Sequence, residues 1–203
     1  RSYDFGYTKP FSVGWYAVDY SGCVYRIREL YGCKEGQENV GLEVDPAEQA
    51  RMIREVEETD PNLKGRKIAG IADPSIFDVS RGESIADIMA RNGVYWSPGD
   101  NHRIAGKMQY HYRLAFNADG HPLFYVFNTC KGFIRTIPQL VYDEKNVEDI
   151  DTTQEDHIYD ECRYFLMQYQ IAKRANVKKK PPLDDPLDLY KAEREKAYKI
   201  IRI

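Results

Sequence analysis

The first 31 residues constrain the fold more than any other stretch. Residues 11–19 (FSVGWYAVD) alternate, with Phe11, Val13, Trp15 and Ala17 on one face. A turn signal, Tyr20-Ser21-Gly22, follows. Residues 23–31 then alternate again, with Cys23, Tyr25, Ile27 and Tyr31 on a face that Glu29 interrupts. A period of two marks a half-buried strand, so with a strand-like stretch at 1–6 this predicts a three-stranded antiparallel start. Helices and strands then take turns. Asp45 caps a helix over 45–60, Pro46 suits its first position, Glu48 closes a capping box, and Ala50, Ile53 and Val56 mark its apolar face. The unalternated run 67–72 (KIAGIA) suits a central strand covered on both faces and ended by Asp73-Pro74. A helix over 83–92 stopped by Gly93, a strand at 94–96 and a helix from Asp100 or Asn101 to Tyr112 come next. A hairpin centred on Asp119-Gly120, with a return arm at 123–127, precedes a short helix over 131–137. The last helix of the body starts near Gln154 and carries the stripe Ile158, Cys162, Phe165, Leu166 and Tyr169. The predicted class is α/β, an α+β mixed sheet covered by helices.

At 203 residues the chain suits one domain with an appendage. The boundary falls at Lys178-Lys179-Lys180-Pro181-Pro182. Residues 1–177 form the expected domain, and 178–203 an arm that docks elsewhere or a helix packed back on the core. Charge divides the same way. Residues 171–203 hold 10 basic and 5 acidic side chains and residues 1–170 hold 19 and 27, so the net charge of −3 is +5 on the tail and −8 on the body. No stretch approaches the roughly 18 apolar residues of a membrane span, and no secretory leader is expected. The four cysteines form no CxxC pair, which argues against a zinc knuckle or redox dithiol and suits reduced thiols.

Three aspartates are conspicuous by position. Asp4 lies inside the first strand, where a carboxylate is costly unless paired or metal-bound. Asp73 closes the KIAGIA strand, and ligand sites in such sheets favour the carboxyl ends of strands. Asp160 lies in the final helix, where His157 three residues before it and Asp156 four before it can face the same point. Converging carboxylates repel, and hard ions such as Mg²⁺ or Mn²⁺ relieve that repulsion. The residue pattern leaves a second reading open, with Asp4 in a turn, Asp73 a turn residue before proline and the helical acids solvated. His157 is either an ion ligand or proton carrier, or an exposed helix-start histidine. Arg103 and Lys107, and likewise Lys131 and Arg135, are four apart. They are candidate contacts to a phosphate backbone.

Three segments in order, YDFGYTKPFSVGWYAVDYSGCVYRIRELYG, GIADPSIF and EDHIYDECRYFLM, carry a resemblance to the nuclease domain of tailed-phage terminase large subunits, over about residues 1–170. The resemblance implies an RNase H-like fold with a mixed five-stranded core sheet and flanking helices. It implies cleavage of concatemeric viral double-stranded DNA with two Mg²⁺ or Mn²⁺ ions. By motif position Asp4, Asp73 and Asp160 are the catalytic and metal-holding carboxylates, His157 is an auxiliary ligand or proton handler, and Asp156 is a further acid beside them. The implied partners are duplex DNA, the portal protein, the small terminase subunit and an upstream ATPase domain of the same polypeptide. No GxxxxGK[ST] phosphate loop occurs in this sequence, so ATP hydrolysis is not expected of it. The expected setting is the host cytoplasm at the procapsid, the isolated domain being monomeric. A junction resolvase or transposase-like nuclease, or a non-catalytic DNA- or portal-docking module, are the rival expectations.

Overall fold

The antiparallel start is present. β1 (Ser2–Asp4) pairs with β2 (Ser12–Val18), placing Ser2 opposite Gly14 and Asp4 opposite Ser12, and β2 pairs with β3 (Val24–Tyr31). The computed structural model describes residues 1–80, 82–117 and 119–171; the expected arm or helix over 178–203 lies outside the described residues. Two short strands, β4 (Ile71–Ala72) and β5 (Ser97–Pro98), continue the sheet in parallel beyond β1. The sheet order is β5-β4-β1-β2-β3-β6, with β6 (Phe124–Val126) parallel to β3. This is the expected mixed sheet of an RNase H-like fold, with β6 as a sixth strand beyond the expected five.

Helices cover both faces. α1 (Pro46–Thr59) is capped by Asp45, whose Oδ1 accepts from the Glu48 amide at 2.8 Å, as the sequence predicts. α1 and α2 (Ile85–Arg91) pack Ala50, Ile53 and Met89 onto Tyr3, Phe11, Val13 and Trp15. On the other face α3 (Arg103–Leu114), α4 (Lys131–Thr136) and α5 (His157–Gln168) bring Tyr110, Phe133, Ile158, Cys162, Phe165 and Leu166 onto Val24 and Phe124. Strand alternation decides this division. Tyr3 turns to α1 and its hydroxyl donates to Gln49 Oε1 at 2.6 Å, while Ser2 and Asp4 on either side of it turn to α5.

Four expectations are corrected. The Asp119-Gly120 turn does not join a hairpin: it returns the chain from α3 to β6, which pairs parallel to β3. The β3 face expected to hold Cys23, Tyr25, Ile27 and Tyr31 is broken by a bulge, since Trp15 stands opposite Arg28 while Tyr16 stands opposite Arg26. The extra residue reverses the alternation, and Arg26 rather than Ile27 is fully buried. The run 67–72 pairs only at Ile71 and Ala72, and the strand expected at 94–96 forms at Ser97–Pro98.

Beneath α5 lies a polar core. Glu161 and Arg26 are both fully buried, with Arg26 Nη1 donating to Glu161 Oε2 at 2.6 Å. Glu161 also accepts from the hydroxyls of Ser2, of Tyr16 at 2.8 Å and of Ser12 at 3.3 Å. Small residues on the sheet make room for it: a Cβ at Gly14 would collide with the Arg26 guanidinium, the Glu161 carboxylate and the Tyr16 hydroxyl. One helical acid thereby ties α5 to β1, β2 and β3. Glu161→Ala leaves the buried Arg26 with Glu29, 3.5 Å from its Nη2, as its remaining carboxylate partner, and is expected to cost about 3–5 kcal/mol, read as a lowered midpoint in urea unfolding. Replacing both partners by apolar residues, Arg26→Met with Glu161→Leu, should recover most of that loss.

Candidate active site

The parallel pairing of β1 and β4 builds the site. Ser2 stands beside Ile71 and Tyr3 beside Ala72, so Asp4 and Asp73 take the next positions at the carboxyl ends of adjacent strands. Asp73 is held firmly. Its amide donates to the Tyr3 carbonyl at 3.1 Å, its Oδ1 accepts from the Ser75 amide at 2.7 Å, and its Oδ2 accepts from the Tyr164 hydroxyl at 2.8 Å. Burial, and then the charges of Asp4, Asp160 and Asp73, push the Tyr164 pKa up, so the phenol stays a neutral donor.

Asp4 is only 8% exposed. Burial pushes its pKa up to about 7, and the charges of Asp160 and Asp73 act in the same direction against the opposing pull of His157. His157, the first residue of α5, places Nδ1 3.3 Å from Asp4 Oδ2 and Nε2 3.1 Å from Asn39 Oδ1. Two ring nitrogens facing two acceptors suit the doubly protonated imidazolium. Burial lowers the His157 pKa, but the bond to Asp4 and the charges of Asp4, Asp156 and Asp160 outweigh it and hold the pKa above its ordinary value. Asn39 takes a left-handed backbone, φ 58°, which asparagine tolerates better than most residues.

Asp156 precedes α5 and Asp160 lies in its first turn, where the helix dipole favours negative charge. Burial, then Asp160, push the Asp156 pKa up to about 6. Asp160 is engaged by two guanidinium groups. Arg103 Nη1 reaches both its oxygens, at 3.0 and 2.8 Å, and Arg163 Nε reaches Oδ1 at 3.0 Å. Arg103 Nε also donates to Asp149 Oδ2 at 2.7 Å, and its Nη2 lies 3.9 Å from Asp156 Oδ2. Arg103 opens α3, a position the helix dipole disfavours for a cation, and these carboxylates offset that penalty.

The donor chemistry fits a hard divalent ion. Asp4, Asp73, Asp156 and Asp160 offer carboxylate oxygen, and the buried Asp4 is short of compensating positive charge. Among the described residues, no group of three or more His, Cys, Asp or Glu is arranged to hold a metal ion.

The four basic candidates are dispersed. Arg103 turns inward to the carboxylates. Lys107 is buried, donating to the Glu148 carbonyl at 2.8 Å with its Nζ 4.2 Å from the Tyr142 ring centre. Arg135 forks onto Glu155 at 2.7 and 2.6 Å, while Lys131 is exposed at the start of α4. Sequence reasoning missed Asn39, Asp149 and Arg163. Arg163 was within reach, since it follows Asp160 by one helical turn. Asn39 and Asp149 lie in loops, where no periodicity marks a partner.

No family model matches the chain, and no curated protein matches it. Solved structures do. The large terminase of a thermophilic bacteriophage, in complex with ATP-gamma-S, aligns with a TM-score of 0.60 at 22% identity, over 81% of this chain and 38% of that one. Two further structures of that terminase, one in the same crystal form and one in another, give 0.60 at 23% identity and 0.58 at 22%, each over 81% of this chain and over 38% and 37% of theirs. This chain thus spans well under half of the terminase and shares the fold of that part.

The Asp4 environment sets a pH dependence. A carboxyl whose pKa rises on folding contributes stability that is complete below its unfolded value near 3.8 and lost as pH rises through about 7. In EDTA, Asp4→Asn is therefore expected to raise stability by on the order of 2 kcal/mol at pH 8. The gain should shrink as pH falls towards 5, as thermal melts at the two pH values would read.

Proposed function

We propose that this chain is a divalent-metal-dependent endonuclease that cuts concatemeric viral double-stranded DNA during genome packaging. The observation that carries the reading is Asp4. It is a carboxylate buried at the carboxyl end of the central strand, with Asp73 on the neighbouring strand and Asp160 on α5 close enough to act on its pKa. A purely structural residue in that place would have no reason to be charged. The shared fold with a phage large terminase supports the packaging context.

In this reading Asp4, Asp73, Asp160 and Asp156 hold two Mg²⁺ or Mn²⁺ ions. When bound, such ions activate the attacking water and stabilise the leaving oxygen of a phosphodiester. The chain's own residues do the rest. The Glu161 network fixes the rotation of α5, Tyr164 holds Asp73, and Asn39 orients His157, which stands ready to move a proton beside Asp4. Among the basic candidates Lys131 is the side chain free to meet a phosphate backbone. Weak intrinsic DNA affinity follows from the acidic body, with positioning left to the ATPase domain, portal protein and small subunit at the procapsid in the host cytoplasm. A second reading, a non-catalytic docking module, draws on one observation: both oxygens of Asp160 are spent on arginines.

Plasmid nicking with Mn²⁺ separates the two. The nuclease reading expects Asp4→Ala, Asp73→Ala and Asp160→Ala each to lower nicking by at least about 100-fold, the scale of removing one charge-stabilising group from an active site. Full activity in any variant removes that residue from the site. No cleavage by the parent protein under any divalent ion supports the docking module.

A further inference from the structure

We propose that Arg103 is a positioning residue that holds Asp160 in a locked state, and that it must leave Asp160 before that carboxylate can take a divalent cation. The inference rests on the nuclease reading and deepens it. Both Asp160 oxygens lie within 3.0 Å of Arg103 Nη1, and Asp149 anchors Nε of the same guanidinium at 2.7 Å, so the fork is held from two sides. Arg163 also reaches Asp160, but through Oδ1 alone.

Exposure decides which arginine moves. The Arg163 side chain is 2% exposed and the Arg103 side chain 27%. Withdrawing Arg163 would leave a charge inside the fold, whereas Arg103 can turn its guanidinium towards water at little desolvation cost. Gly106 sets the geometry. A Cβ there would collide with the Arg163 side chain, so the glycine lets α3 approach α5 closely enough for Arg103 to reach the acid. Asp149 lies outside the four carboxylates assigned to metal, so it can keep Arg103 after the exchange. Arg103 thus substitutes for a cation at Asp160, protecting the metal-free domain from its own charge repulsion and lowering apparent metal affinity by the locked fraction.

The test is calorimetric titration of Mn²⁺ into the full chain and into Arg103→Gln and Arg103→Lys. Lysine keeps the charge but loses the fork. The lock predicts that both variants bind Mn²⁺ on the order of tenfold more tightly than the parent, the scale of one charge-assisted hydrogen-bonded pair. It also predicts that Arg103→Gln melts lower than the parent in EDTA and that Mn²⁺ narrows the gap. Parent-like affinity in Arg103→Lys, with only Arg103→Gln tighter, would mean simple charge repulsion and overturn the lock. Parent-like affinity in both variants, while the parent binds Mn²⁺ and nicks DNA, overturns the lock and leaves the nuclease reading standing. If none of the three proteins binds Mn²⁺ and none nicks, both fall together.

Discussion

The buried pair of Glu161 and Arg26 is the interaction on which the rest of this structure depends. Two opposite charges sit at zero exposure between α5 and the centre of the sheet, and neither could be there alone. Desolvating such ions costs several kcal/mol each, which mutual attraction offsets only when the remaining lone pairs are also satisfied. The hydroxyls of Ser2, Ser12 and Tyr16 do that for Glu161. The pair therefore adds little net stability compared with an apolar core, but it fixes how α5 is rotated. With Glu161 pointing into the sheet, Asp160 is turned aside to the sheet's edge, where β1 and β4 end in Asp4 and Asp73.

At that edge the balance of charge is uneven. Asp160 has two arginines, Asp149 has one of them, and Asp73 is held by a phenol and an amide. Although burial pushes the Asp149 pKa up, Arg103 holds it below its ordinary value. Asp4 has His157 as its charged partner, and burial wins there, carrying its pKa to about 7. The end of the sheet thus combines one carboxylate that a cation would relieve with another whose cation is a guanidinium on a part-exposed side chain. Those two conditions are what a site needs if it is to remain stable empty and still accept divalent ions.

Much of the fold was readable from local patterns, because the alternation in β2 and β3 and the apolar stripe of α5 are written in the sequence, although β1 and most of β2 and α5 are buried on all sides. Glu161 was missed, although the pattern marks it. It falls three after Ile158 and four before Phe165, on the apolar stripe, and a carboxylate there signals a buried partner. What could not be read was non-local. The turn at Asp119-Gly120 gives the same sequence signal whether the chain returns to the strand before it or to distant β3. The β3 bulge has no composition mark of its own. Spacing of four puts Arg103 with Lys107, and Lys131 with Arg135, on common helix faces, but says nothing of what lies opposite. In the structure Asp160, the Glu148 carbonyl and Glu155 lie opposite three of the four.

The central claim is that α5 and the ends of β1 and β4 form one cation site. The anomalous scattering of manganese in crystals grown or soaked with Mn²⁺ tests this most directly. Manganese peaks are predicted against the carboxylate of Asp4, shared with Asp73 and Asp160, with Arg103 withdrawn from Asp160. Crystals with no manganese at Asp4, and with Arg103 Nη1 still on Asp160, would contradict it.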